Sequence, residues 1–269
     1  MIRRKTDKSE TIVPAAITEA VSGAAPGAIA AMAAKGKRPN RSGNLADHVY
    51  TSLRRAIIEQ ALAPGTKLPE DSVGTSFGVS RTVVRSAIVR LVAEGLVVQQ
   101  PNMRATVAAP SLEEGRAVFR VRRGLERMVL EELGPRIQPA HLAKLRAHVT
   151  NEEDAKRFSE PKAIRLSGEF HLLLAEFTGN ELLIRYVNEV VSRASLILAL
   201  YGRPHSSECA VNEHSMLIDA LERGDISRAV QLMDEHLVAV ATRGLLETGI
   251  KPERSLQDIL LAYRPTAED

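Results

Sequence analysis

Three of the seven histidines in this chain, His171, His214 and His236, fall on the apolar stripes of three separate helix-forming segments. His171 is in phase with Leu174 and Ala175, His214 with Leu217, Ile218 and Leu221, and His236 with Leu232, Met233 and Val240. All three are therefore expected to point inward. One hydrogen bond satisfies a single buried imidazole, whereas three together are satisfied at once by a shared divalent metal or by a polar ligand. Three neutral imidazoles around an open position suit Zn or Ni. The same arrangement can activate water, so a metal-dependent hydrolytic enzyme is an alternative use of these residues, although no general base accompanies them at suitable spacing. His48, His141, His148 and His205 sit at element ends or flanking positions and are assigned no role.

A second set of residues carries different chemistry. Between Ser80 and Glu94 the residues Val84, Ile88, Leu91 and Val92 recur at helical spacing and are expected to face a small core. Thr82, Arg85, Ser86 and Val89 then face outward. An arginine can chelate guanine O6 and N7, hydroxyls can bond phosphates or bases, and a valine can touch a thymine methyl, which is the equipment a major groove demands. Arg81, in the first turn, can reach bases or backbone. Ser80 stands at the helix N-terminus, where exposed amides favour a phosphate. Arg81, Arg85 and Arg90 would equally serve as a solvated charged face, and helical charge patterns alone do not separate the two readings.

The elements that must hold these groups can be read from periodicity and breakers. Leu45, Val49, Leu53, Ala56 and Ile57 share one face of a first helix that stops near Ala63-Pro64-Gly65. A short second helix opens at Leu68-Pro69-Glu70-Asp71 and ends at Gly78, and the third begins at Ser80 and closes at Gly95. Leu96 to Gln99 and Ala105 to Ala108 are β-prone and flank Pro101-Asn102, predicting a two-stranded hairpin. Three helices and a hairpin form a winged helix-turn-helix. After Pro110 the pattern is helix upon helix, near 111–133, 139–157, 161–178, 181–201, 209–223 and 226–247, with a short seventh helix around Leu256 to Tyr263. The fold class is thus mainly α, with a winged helix-turn-helix in front of an all-α bundle.

With 269 residues, 44% of them hydrophobic, the chain has material for about two domains. Its single cysteine excludes an internal disulfide framework and fits a reducing cytosol. The sequence shows neither an apolar run of membrane-spanning length nor a secretory leader, so a cytoplasmic chain without membrane contact is expected. The net charge of +3 is unevenly spread: residues 1–42 carry eight Lys/Arg against three Asp/Glu, residues 43–110 carry seven against five, and residues 111–269 are left at −4. A polyanion would therefore meet the N-terminal portion. Residues 1–42, rich in Ala, Gly, Pro and Lys, read as a disordered basic tail.

Residues 66–108, TKLPEDSVGTSFGVSRTVVRSAIVRLVAEGLVVQQPNMRATVA, resemble the winged helix-turn-helix of the GntR superfamily of bacterial transcription regulators. The resemblance lies in Pro64-Gly65, Leu68, the run Gly78-Val79-Ser80-Arg81-Thr82, Arg85, and Leu91 through Glu94-Gly95-Leu96. It implies that Ser80, Arg81, Thr82 and Arg85 contact operator DNA and that the hairpin tip enters the minor groove; Ser86, on the outward face of the helix, and Arg104, a charged substitute at the wing, are further DNA-contact candidates. Val83 stands where the family usually has proline, Ser86 where it has glutamate, and Asn102-Met103-Arg104 where it has Asn-Arg-Gly.

Residues 111 to about 247 resemble the FCD-type ligand-binding domain of the same superfamily, on Arg122 through Glu126, Phe170-His171, Gly179-Asn180, Glu213-His214, Ala220, Gly224-Asp225 and His236-Leu237. In that family an aspartate one turn before the first histidine joins three histidines around a divalent metal, beside a pocket for a small carboxylate effector. Ser167 occupies the aspartate position here, so the site is expected to have lost a negative charge. Ser167 and Arg122 are the effector-facing candidates; Arg122 is either a carboxylate clamp or the partner of Glu126 in a surface salt bridge. The expected organisation is a DNA-binding domain at 43–110 and an effector-binding and dimerisation domain at 111–265. Together they would act as a homodimeric repressor on double-stranded operator DNA.

Overall fold

In the computed structural model, which describes residues 41–99, 103–201, 208–244 and 255–263, helical phasing sets the first layer. Helix α1 (Arg41–Ile58) buries Val49, Leu53, Ala56 and Ile57. Leu45, expected on that face, is 44% exposed, because partly buried Ala46 continues the line through Val49, Leu53 and Ala56. Helix α2 (Glu70–Phe77) ends on Gly78 at φ 66°, a left-handed conformation that an L side chain adopts only with strain. That sharp reversal delivers the chain into α3 (Arg81–Ala93).

The buried face of α3 consists of Val83, Val84, Ala87, Ile88 and Leu91. Val92, expected inside, is 38% exposed. Val84, Ala87, Ile88 and Leu91 already complete the inward stripe, and Val92 stands at its edge. Strands β1 (Lys67–Leu68), β2 (Val97–Val98) and β3 (Ala105–Val107) form an antiparallel sheet in the order β1-β3-β2. Thr106 pairs with Lys67 on one side and with Val98 on the other. The hairpin was legible in the sequence, whereas β1, with two residues, was not. Residues 1–40, Asn102 and His205 lie outside the described residues.

Helix α4 (Leu112–Leu133) starts on a reciprocal capping box between Ser111 and Glu114 and ends in a single 3-10 turn, Gly134–Arg136. Helices α5 (Pro139–Phe158), α6 (Glu160–Phe177), α7 (Glu181–Tyr201), α8 (Glu208–Glu222) and α9 (Ile226–Gly244) complete the bundle. Phe170, Leu130, Leu133, Leu145 and Leu174 are its largest fully buried side chains. The bundle's helices start and stop within a few residues of the breaks read from the sequence.

Helix α10 (Leu256–Ala262) departs from the expected plan. Instead of extending the bundle it packs on α2 and α1, placing Ile259 and Leu260 in the apolar core of the winged helix-turn-helix. An isolated seven-residue helix is marginal in water, so its position is set by where Ile259 and Leu260 find apolar surface. Leu196 of α7 enters the same core. Polar contacts reinforce the junction: the Arg54 guanidinium of α1 donates to Glu94 at 3.0 Å and to Asn188 on α7 at 3.0 Å.

Candidate functional site: a buried three-histidine centre and an exposed arginine helix

His171 on α6, His214 on α8 and His236 on α9 converge inside the bundle, 2%, 1% and 4% exposed. Ring centroids lie 5.2 Å apart for His171 and His214, 5.2 Å for His171 and His236, and 4.9 Å for His214 and His236. One ligand atom from each falls within 4.8 Å of the others. Phe170 stacks on His214 at 3.9 Å, fixing that ring from one side.

Each imidazole is tied at Nδ1 to its own carboxylate. Glu126 of α4 lies 2.5 Å from His171, Glu152 of α5 lies 3.0 Å from His214, and Glu213 of α8 lies 2.5 Å from His236. A carboxylate accepts a proton from Nδ1, so each ring is held with a bare Nε2 lone pair, the tautomer a metal ligand needs. His214 Nε2 has no protein partner in this buried space. Three lone pairs aimed at one another repel unless a cation or donor stands between them. Three carboxylates and the Arg122 guanidinium leave a formal charge of −2 around three neutral rings, which a divalent ion cancels. On both counts the residues fit a divalent metal.

The electrostatics favour neutral rings at His171 and His236. Burial pushes His171 well below the ordinary histidine range and His236 down to about 4, against the pull of their carboxylate partners. Burial opposes ionisation of Glu126, yet the Arg122 guanidinium and the hydrogen bond from His171 hold the carboxyl below its ordinary range. Glu152 is likewise lowered: desolvation is outweighed by His214, with a smaller contribution from the Ser167 hydroxyl.

Sequence reasoning missed Glu126, Glu152 and Glu213 as partners of the rings. The signal was present, since Glu152 follows Leu145 and Val149 on one stripe and Glu126 shares the inward face with Phe119, Arg122 and Val129. Ser167, at the expected aspartate position, is half-buried, and fully buried Glu152 brings a carboxylate to the His214 ring from a neighbouring helix. Arg122 does pair with Glu126, donating from Nε at 2.5 Å, but the pair is buried rather than on the surface.

In the winged helix-turn-helix the structure places Ser80, Arg81, Thr82, Arg85, Ser86 and Arg104 in solvent, with Val89 at 59% exposure on the same outer face of α3. Ser80 is the N-cap of α3 and makes no side-chain capping bond. The Ser86 hydroxyl donates to the Thr82 carbonyl at 3.0 Å. Arg85 donates from Nε and Nη2 to the two oxygens of Glu70 at 3.1 and 2.8 Å. Arg81 pairs with Asp71, and Arg90 pairs with Asp47 while lying over the Tyr50 ring. No helix among the described residues is long and apolar enough to cross a membrane.

Comparison with known proteins agrees with both halves. Residues 45–107 match the family described as bacterial regulatory proteins, gntR family, and residues 117–239 match the FCD domain. The HTH-type transcriptional repressor RspR of Escherichia coli is 26% identical over 197 residues, covering 72% of this chain and 86% of that protein. The HTH-type transcriptional regulator YdhC of Bacillus subtilis is 23% identical over 192 residues, covering 70% of this chain and 85% of that protein. A crystal structure described as a putative transcriptional regulator GntR from Rhodococcus shares the fold with a TM-score of 0.65 at 22% identity, covering 74% of this chain and 97% of that one. The chain belongs to the GntR family of bacterial regulatory proteins, and its helical half is an FCD domain.

Proposed function

We propose that the protein is a cytoplasmic transcriptional repressor that reads double-stranded operator DNA with α3 and releases it when a small carboxylate effector enters the FCD domain. The observation that carries the reading is the division of α3: Val84, Ala87, Ile88 and Leu91 are fully buried while Thr82, Arg85, Ser86 and Val89 stand in solvent on one face. A helix divided in this way docks in a major groove with its arginine toward guanine. Arg104, exposed at the hairpin, reaches the neighbouring minor groove or phosphate backbone. A homodimer presents two such helices to the halves of a pseudo-palindrome.

In this reading His171, His214 and His236 hold a divalent metal of the kind imidazole favours, Zn or Ni. Bound there, the metal would supply a Lewis-acidic position for an effector carboxylate. Glu126, Glu152 and Glu213 keep the three rings oriented, and Arg122, tied to Glu126, sets the charge on one side of the site. Regulation engages both halves of the chain, whereas hydrolysis at the histidines would leave the exposed face of α3 without a task.

Selection of bound sequences from a random duplex DNA library by the purified protein tests the proposal. The expected result is a two-fold symmetric motif that loses its guanine preference at one position of each half-site in the Arg85→Ala variant. A wild-type protein that enriches no motif, or an R85A variant that enriches the same one, overturns it.

A further inference from the structure

We propose that Glu70 is a positioning residue that sets the base discrimination of Arg85, holding the guanidinium side-on so that its outer edge is presented to guanine. The inference rests on the DNA-reading role of Arg85 given above and adds the residue that aims it.

Gly74 of α2 packs against the turn into α3 and against α3 itself: a Cβ there would come within 2.9 Å of the Val79 carbonyl oxygen and 3.7 Å of a Val84 methyl. Glu70 lies one turn before Gly74 on the same face of α2, and Arg85 follows Val84 on α3, so this packing brings the two charged side chains within reach of each other. The resulting bond is bidentate and specific in its edge: Nε meets Oε1 and Nη2 meets Oε2. Side-on pairing uses the Nε proton and one Nη2 proton. It leaves the second Nη2 proton and one Nη1 proton side by side on the end edge, which is the fork that chelates guanine O6 and N7.

Exposure separates this pair from its neighbour. The Glu70 side chain is 21% exposed beneath an Arg85 that is 64% exposed, whereas Asp71 and Arg81 are 64% and 69% exposed. Glu70 is thus a half-covered platform with a solvent-facing arginine resting on it. Arginine's flexible stem has many rotamers, and anchoring one edge removes most of them before DNA arrives. The same carboxylate repels phosphates, so an arginine bound to it is a poorer general backbone contact than a free one. Both effects favour specific over non-specific binding.

The test compares wild type, Glu70→Gln, Arg85→Ala and the double variant, using motif selection from a random duplex library and equilibrium binding to a duplex of scrambled sequence. R85A identifies the guanine position that Arg85 reads. At that position E70Q is expected to lose about fivefold or more of its guanine preference, a part of the discrimination a good bidentate contact provides. Preferences elsewhere in the motif stay unchanged, scrambled duplex binds more tightly than to wild type, and E70Q adds nothing to R85A in the double variant. Retention of the full guanine preference by E70Q overturns the inference, and so does an equal loss at every position. If R85A itself leaves the motif intact, the reading of α3 has failed, a result distinguishable from failure of the Glu70 role alone.

Discussion

Arg165 of α6 donates from Nε to Glu59, just beyond α1, at 2.9 Å, and six residues further along the same helix His171 enters the three-histidine centre. One rigid element thus joins the buried site to the reading head. Glu59 is buried and also accepts from the Tyr263 hydroxyl, just beyond α10, at 2.7 Å and from Arg55 at 3.0 Å. A ligand that moves α6 therefore acts directly on the carboxylate at which α1, α6 and the C-terminal segment meet.

Replacing Glu59 by glutamine keeps the shape and removes the charge on which two arginines and a tyrosine converge. Arg165 is only 20% exposed, so it retains part of its desolvation with Glu169 alone as its charged partner. We expect Glu59→Gln to lower stability by about 1–3 kcal/mol in urea unfolding. A loss below about 0.5 kcal/mol, the scatter of ordinary surface changes, would show that the junction does not depend on this charge.

The same residue predicts a pH dependence. Burial raises the Glu59 pKa, but hydrogen bonds from Tyr263, Arg165 and Arg55 outweigh it, and the carboxyl ends below its ordinary value. A carboxylate lowered on folding contributes stability above its unfolded pKa and loses that contribution as pH falls through the folded value. Stability should therefore decline on acidification below about pH 5. In E59Q that decline should be shallower than in wild type, and superimposable profiles would refute the assignment.

Metal binding at the histidines should stabilise the fold. Protein stripped with a chelator and dialysed is expected to gain about 2.7 kcal/mol when Zn or Ni is present at a hundredfold excess over its dissociation constant. His214→Ala should abolish that gain, because it removes a nitrogen that lacks any protein partner. Equal stabilisation of wild type and H214A would place the metal elsewhere.

Glu152→Gln tests the carboxylate that orients the His214 ring. Glutamine can still accept from His214 Nδ1 but carries no charge, so the imidazole becomes a weaker donor to a cation. Zn affinity measured by competition with a chromophoric chelator should fall about 10–100-fold while the helical content of the protein stays constant. Unchanged affinity would mean that Glu152 is only a structural partner of the ring.

Comparison of sequence with structure shows which physics is local. The breaks at Gly179 and Gly224 were legible because both glycines take φ near +70°, a backbone state that short-range chemistry dictates. The inward histidines were legible because helical phase alone turns them to the core. The Glu152–His214 contact was not, since it joins positions 62 residues apart and depends on how α5 packs on α8. Glu152 also carries a charge, and phase arguments assign charges to solvent unless a partner is in view. Strand β1 escaped for a related reason: two residues carry no period, and only β3 defines them as a strand.

The placement of α10 is the part furthest from local reading, and it leads to the last prediction. Ile259 and Leu260 are 7% and 0% exposed, and both contribute to the core of the winged helix-turn-helix, more than 150 residues away in sequence. Ending the chain before Ser255 would uncover that apolar surface and remove the Tyr263 bond to Glu59. Amide hydrogen exchange should then accelerate in α2, against which α10 packs, while α8 in the bundle exchanges as in the full chain. Leu260→Ala should give the same pattern in weaker form, at a cost of about 2–5 kcal/mol for a fully buried leucine. Uniform acceleration across both regions would instead mean that head and bundle unfold as one unit, and that α10 is a general brace rather than a strap on the DNA-reading half.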